Sequence, residues 1–110
     1  DLIRAQIMEN STFTATGNGT GRQITAVGAT EKVYIGVHAT AVTGDWDIVL
    51  ESDDNGSFTS ATTRATFSSV TAIGDQFTSV AGAITDDYWR IRFVENSAGS
   101  LSLVASVGIQ

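Results

Sequence analysis

The chain has 110 residues and a formal net charge of −6, from six Lys plus Arg against twelve Asp plus Glu. That length is one domain with surface enough to bury a single core. The acidic balance and the lack of any Lys/Arg cluster argue against nucleic-acid binding, and no apolar run approaches the roughly 20 residues of a membrane span.

Cysteine is absent, which removes disulfides and thiol-based metal, redox and nucleophile chemistry. Proline is absent too, so every backbone N–H stays available for pairing. The chain opens on Asp1 with no signal peptide in view, as a processed or trimmed start would. Its polar load falls on Thr, Ser, Asn and Gly more than on charge, a composition that favours strands and turns over helices.

Residues 1–11 read "DLIRAQIMENS", with Leu2, Ile3, Ile7 and Met8 spaced at about one helical turn around Arg4 and Glu9. This predicts a short amphipathic helix, or an extended arm lying on another subunit. Eleven residues are too few to hold a helix alone in water, so the segment either packs on its own domain or is ordered by a neighbour. The remainder, 12–110, is expected to be the folded domain.

Short strands are predicted around Phe13–Thr16 and Gln23–Val27, on either side of "GNGTG" at 17–21. That loop lacks the Lys of a phosphate-binding loop and a helix after it. "EKVYIGVHATAV" alternates strictly, with Val33, Ile35, Val37, Ala39 and Ala41 on one face and Tyr34, Gly36, His38 and Thr40 on the other. "DWDIVLES" places Trp46, Ile48 and Leu50 inward, with Asp47, Val49 and Glu51 outward. Weaker strands follow at Ala65–Thr71 and Gln76–Val80. "YWRIRFVE" then sets Trp89, Ile91 and Phe93 opposite Arg90 and Arg92, and "LSLVASVGI" aligns Leu101, Leu103, Ala105, Val107 and Ile109. Period two means half-buried strands. "TGD" at 43–45 and "NSAGS" at 96–100 are short enough to close hairpins. The fold class is therefore all-β, a single antiparallel β-sandwich of about seven to eight strands, jelly-roll-like or Ig-like, with an N-terminal arm.

"LESDDNGSF" at 50–58 is the nearest approach to a functional motif. Ser52, Asp54 and Gly56 echo the opening of an EF-hand-type calcium loop, which makes Asp53, Asp54 and Asn55 the metal candidates. No Asp or Glu follows before Asp75, so the closing bidentate ligand is missing. The same residues match the first half of an Asp-box turn, but Phe58 and Thr59 break its register. The turn chemistry instead predicts a hairpin, with Gly56 at positive φ. No metal and no cofactor is expected.

His38, the single histidine, stands on an outward face without a nucleophile or second ligand beside it in sequence. Asp86 and Asp87 invite a glycosidase reading, yet neighbours on a strand point to opposite faces and cannot flank one bond. Arg90 and Arg92 share a face with Tyr88 and are placed to pair with Asp47 or Glu51, or to meet another subunit. Trp46 and Trp89 are assigned to the core rather than to a sugar platform.

Taken in order, the strand ending in Leu50-Glu51-Ser52-Asp53-Asp54, then Asn55-Gly56 and Phe58, the strand Tyr88-Trp89-Arg90-Ile91-Arg92 and the terminal Val107-Gly108-Ile109 resemble small β-sandwich virion proteins of tailed bacteriophages, in particular head decoration (cement) proteins. The resemblance covers 33–110 and carries no fixed site motif. It implies a non-enzymatic protein of the capsid surface, bound to the major capsid protein from outside, often as a homotrimer at local threefold positions. Interface residues are then expected at Leu2, Ile3, Ile7, Met8, Tyr88, Arg90 and Arg92. The alternatives are a carbohydrate-binding β-sandwich of a phage tail or fibre, which would need exposed aromatics, and a hydrolase, which would need paired acids in a cleft.

Overall fold

A computed structural model describes residues 3–110, with the side chains of Ile3 and Arg4 left aside; Leu2 lies outside the described residues. Nine strands follow one another: β1 (Ile3–Phe13), β2 (Gly17–Asn18), β3 (Arg22–Gln23), β4 (Lys32–Val42), β5 (Asp45–Asp53), β6 (Thr62–Val70), β7 (Gly74–Ala81), β8 (Tyr88–Ser97) and β9 (Leu101–Ile109). They form two antiparallel sheets. Sheet A has the order β1-β9-β4-β7, and sheet B the order β2-β8-β5-β6, with β3 also on β8. Counting β2 and β3 as one interrupted strand, this is the eight-stranded order of a jelly roll, which decides between the two sandwich types expected.

The alternation read from the sequence fills the space between the sheets. Val33, Ile35, Val37 and Ala39 of sheet A meet Trp46, Ile48, Leu50, Trp89, Ile91 and Phe93 of sheet B, and all are buried. Both tryptophans are fully enclosed, and each still satisfies its indole N–H. Trp46 Nε1 donates to the Thr43 carbonyl and Trp89 Nε1 to the Thr25 carbonyl, both at 3.0 Å.

Four expectations change. The N-terminal segment is a strand rather than a helix, paired antiparallel to β9 from Ile3↔Ile109 to Phe13↔Leu101. Met8 enters the core at 1% exposure, while Ile7 points out at 57%, a division that a helical face would not give. Phe13 stacks on Phe93 with ring centroids 3.8 Å apart, so the segment is built into its own sandwich.

Ala41 is exposed, because a register shift between Ala39 and Ala41 turns the strand over and packs Val42 against the core instead. The "TGD" and "NSAGS" turns do not close hairpins. They carry β4 to β5 and β8 to β9 from one sheet to the other, as jelly-roll connections do. The two corners lie side by side: Thr43 N–H donates to the Ser100 carbonyl at 2.8 Å, and Ser100 N–H returns to Thr43 Oγ1 at 2.8 Å. Gly44 makes this possible with φ of 81°. Finally, the left-handed residue in the β5–β6 turn is Phe58, with φ of 52°, and not Gly56.

Candidate functional site

The β5–β6 turn is a self-contained hydrogen-bonded unit. Asp53 is 2% exposed, and both its oxygens are occupied: Oδ1 accepts the Asp54 N–H at 2.6 Å and Oδ2 the Ser60 N–H at 2.9 Å. The Ser60 N–H, with help from Asp54 and Asn55, holds this carboxyl below its ordinary pKa of 3.8 against the opposing effect of burial. Asp54 Oδ1 accepts from Asn55 Nδ2 at 3.1 Å, and Asn55 Oδ1 accepts the Ser57 N–H at 3.1 Å. Among the described residues no three His, Asp or Glu are gathered to hold a metal ion. The oxygens of Asp53, Asp54 and Asn55 organise a turn.

What the turn delivers is Phe58. Its ring lies over the outside of sheet B, 8% exposed, with the Arg90 guanidinium carbon 4.4 Å from the ring centroid. Arg90 Nε donates to Glu51 Oε1 at 2.8 Å, and the two side chains keep only 16% and 11% exposure. Gly21 lets the 17–21 loop settle on Phe58, since a Cβ there would run into the ring. Tyr88 packs beside Gly56, and Arg92 Nη1 donates to Asn18 Oδ1 at 3.3 Å. The outer face of sheet B is thus roofed by its own loops, and Arg90 is a largely buried, paired group there.

Asp86 and Asp87 lie just ahead of β8, outside any strand, and still take separate partners. Asp86 Oδ2 accepts from Ser52 Oγ at 2.8 Å and from Arg64 Nη2 at 3.1 Å, whereas Asp87 Oδ2 accepts from Gln23 Nε2 at 2.8 Å. Each carboxylate has its own partner.

Sheet A presents a different exterior. Tyr34 of β4 and Phe77 of β7 lie nearly parallel, centroids 5.9 Å apart and planes 26° apart, and Phe77 is 66% exposed. His38 Nδ1 and Asp75 Oδ1 are hydrogen-bonded next to them, both exposed. A shallow groove of about 290 Å³ runs between Gly36, His38, Asp75, Phe77, Val104 and Ser106. Ile7 extends this apolar surface from β1, where its backbone sits opposite Ser106. Among the described residues nothing covers it.

Phe77 is the residue that sequence reasoning missed. Its signal was present: a lone aromatic in the otherwise polar strand "GDQFTSVA", on the opposite parity from Thr78 and Val80, the partly buried positions.

The fold and these two faces define a jelly-roll β-sandwich with one closed and one open exterior. No family model matches the sequence, and no curated protein matches it. Solved structures share the fold. The PBSX exported protein XepA superposes with a TM-score of 0.64 and 22% identity over 96% of this chain and 36% of XepA, so the chain spans about a third of that protein. The SPBc2 prophage-derived protein YomS gives 0.57 and 13% over 96% of this chain and 91% of YomS. A carbohydrate-binding module from Cellvibrio mixtus lichenase 5A in complex with cellotriose gives 0.54 and 12% over 100% of this chain and 88% of the module. At these identities the likeness is one of fold.

Proposed function

We propose that this protein is a non-enzymatic structural protein of a tailed-phage virion, which binds the outside of the capsid and stabilises the shell as a decoration protein. The observation that carries this reading is the difference between the two exteriors. On sheet B the Phe58 ring covers the Arg90–Glu51 pair, whereas sheet A leaves Ile7 and Phe77 exposed beside the half-buried Tyr34 and Val104. Contiguous exposed apolar surface marks an interaction face, and aromatic residues are favoured at such contacts. The shared fold with two phage-derived proteins supports the phage setting. An open sheet face suits a part that tiles a shell of major capsid protein, where many simultaneous contacts raise the effective affinity.

The test is to add purified protein to shells stripped of decoration. Wild type binds and raises the temperature at which the shells open. Tyr34→Ala combined with Ile7→Asp loses binding while the free protein melts as before. Absence of binding, or binding without any gain in resistance to heat or low salt, would overturn the proposal.

A second reading rests on the same face. The exposed Phe77–Tyr34 pair beside His38 and Asp75 has the composition of a sugar platform, an apolar ring edged by hydrogen-bonding groups, and the cellotriose-bound module shares the fold. Calorimetric titration with cellotriose and other neutral oligosaccharides separates the two readings. Saturable binding lost in Tyr34→Ala would favour the sugar.

A further inference from the structure

The open edges of the two sheets are not alike. β1 carries register shifts between Ile3 and Gln6 and between Ile7 and Glu9. β6 is offset twice against β5, around Trp46/Ile48 and Leu50/Glu51. β2 and β3 are two-residue pieces separated by residues 19–21. Bulges and fragmentation of this kind are how proteins stop sheet edges from pairing with other chains. β7 has none of it. Its register against β4 runs unbroken from Lys32↔Ala81 to Ala39↔Gly74. Its one charged residue, Asp75, already faces His38, and the chain has no proline to block the strand. Two of the three exposed large hydrophobics among the described residues, Ile73 and Phe77 at 68% and 66%, stand at this edge.

The backbone groups on offer can be identified. Lys32 exchanges both hydrogen bonds with Gln110 of the β9 side, at 2.9 and 3.0 Å, and Gly82 N–H donates to the Glu31 carbonyl at 2.9 Å. By strand alternation Val33, Ile35 and Val37 then direct their N–H and C=O toward β7, where they pair with Val80, Thr78 and Gln76. Asp75, Phe77 and Ser79 direct theirs to the open side.

We propose that β7 is a self-pairing edge: two copies of this chain join β7 to β7 across a two-fold axis at Phe77, extending sheet A into one continuous eight-stranded sheet. An antiparallel pair centred on a residue keeps both outer faces on the same side, as a two-fold normal to the sheet requires. In this register Phe77 meets the second copy's Phe77, Asp75 meets the second copy's Ser79, and Ile73 approaches the second copy's Ala81. The aromatic rings pair across strands, no like charges oppose one another, and Phe77 exchanges both backbone hydrogen bonds with its counterpart. This self-complementarity assigns the edge to a second copy rather than to a foreign strand. It also enlarges the open face of sheet A without covering Tyr34 or Ile7.

Sedimentation equilibrium of the free protein tests the proposal, and it does not depend on capsid binding. Wild type is expected as a dimer at high concentration. Ser79→Pro removes an N–H that points to the open side and leaves the bonds to β4 in place, a position where an edge strand tolerates proline; it is expected to be monomeric with its thermal melt retained. Phe77→Cys supplies the only thiol in the chain. Paired Cα atoms about 5.5 Å apart lie within disulfide reach, so mild oxidation should give a covalent dimer. Ala81→Cys, far from its own counterpart in this register, should give none. A wild-type monomer at every concentration overturns the proposal. So does a dimer or trimer untouched by Ser79→Pro. A wild-type monomer whose shell binding is lost in Ser79→Pro would instead place a strand of the capsid protein on β7.

Discussion

Arg90 reaches Glu51 across β8 and β5 with an Nε to Oε1 distance of 2.8 Å, and the Phe58 ring closes over the pair from the next turn. This arrangement turns two charges and a loop into a lid on sheet B. Glu51→Ala leaves the Arg90 guanidinium largely buried without its acceptor, at a cost of about 1–3 kcal/mol. The urea midpoint should fall with the slope unchanged. Shell binding by the folded fraction should stay at the wild-type level, since the proposed docking face lies on the opposite sheet.

Asp53 makes the same turn sensitive to acid. Its carboxyl is held below the usual pKa by the Ser60 N–H, so the native state binds its proton less readily than the unfolded chain does. The stability it contributes is present above the ordinary value of 3.8 and is lost as pH falls through the lower folded value. Asp53→Asn should therefore be less stable than wild type at neutral pH, and the gap should narrow below pH 3.8. Paired thermal melts from pH 7 downward check this; a gap that stays constant would show that the charge is irrelevant.

The faces of the long strands were legible because period two is a local property: Val33, Ile35 and Val37 went in wherever β4 found its partners. Partner choice was not legible. A three-residue turn such as Thr43-Gly44-Asp45 reads the same whether it closes a hairpin or crosses between sheets, and only long-range pairing decides. Likewise the spacing of Ile3, Ile7 and Met8 mimics a helical turn, and only the pairing of β1 with β9 separates the buried Met8 from the exposed Ile7. The turn at 50–58 was recognisable as a hairpin from its Asx residues. Its purpose, carrying Phe58 onto Arg90, depends on a contact between distant strands. Phe77 escaped notice as a site for the same reason: its stacking partner Tyr34 lies on β4, distant in sequence, and only the β4–β7 pairing brings the rings together.

Gly99 ties the two sheet-crossing corners together. A Cβ at this position would sit on the Thr43 carbonyl oxygen and against Gly44 N, backbone atoms that have nowhere to move. Gly99→Ala should cost about 1–3 kcal/mol through overpacking. Gly17→Ala is the matched control, because nothing lies within 4 Å of a Cβ built there. Differential scanning calorimetry should show a lowered midpoint for the first variant and no change for the second.

Met8 and Ile7 give the sharpest check on the N-terminal strand, because neighbours in a strand face opposite ways while neighbours on a helix do not. Met8 is 1% exposed among the core residues, so Met8→Ala removes buried volume and should cost about 2–5 kcal/mol. Ile7 is 57% exposed, and Ile7→Ala should lie within about 0.5 kcal/mol of wild type, as substitutions away from packed sites do. Deleting residues 1–9 would remove Met8 together with Glu9, whose Oε1 accepts the Thr20 N–H at 2.6 Å and anchors the 17–21 loop. The truncated protein should therefore melt at lower temperature even without any shell present. If the deletion and Met8→Ala left the melt untouched while shell binding fell, the segment would be an arm that reaches a neighbour, and its pairing with β9 would have no part in the stability of the free domain.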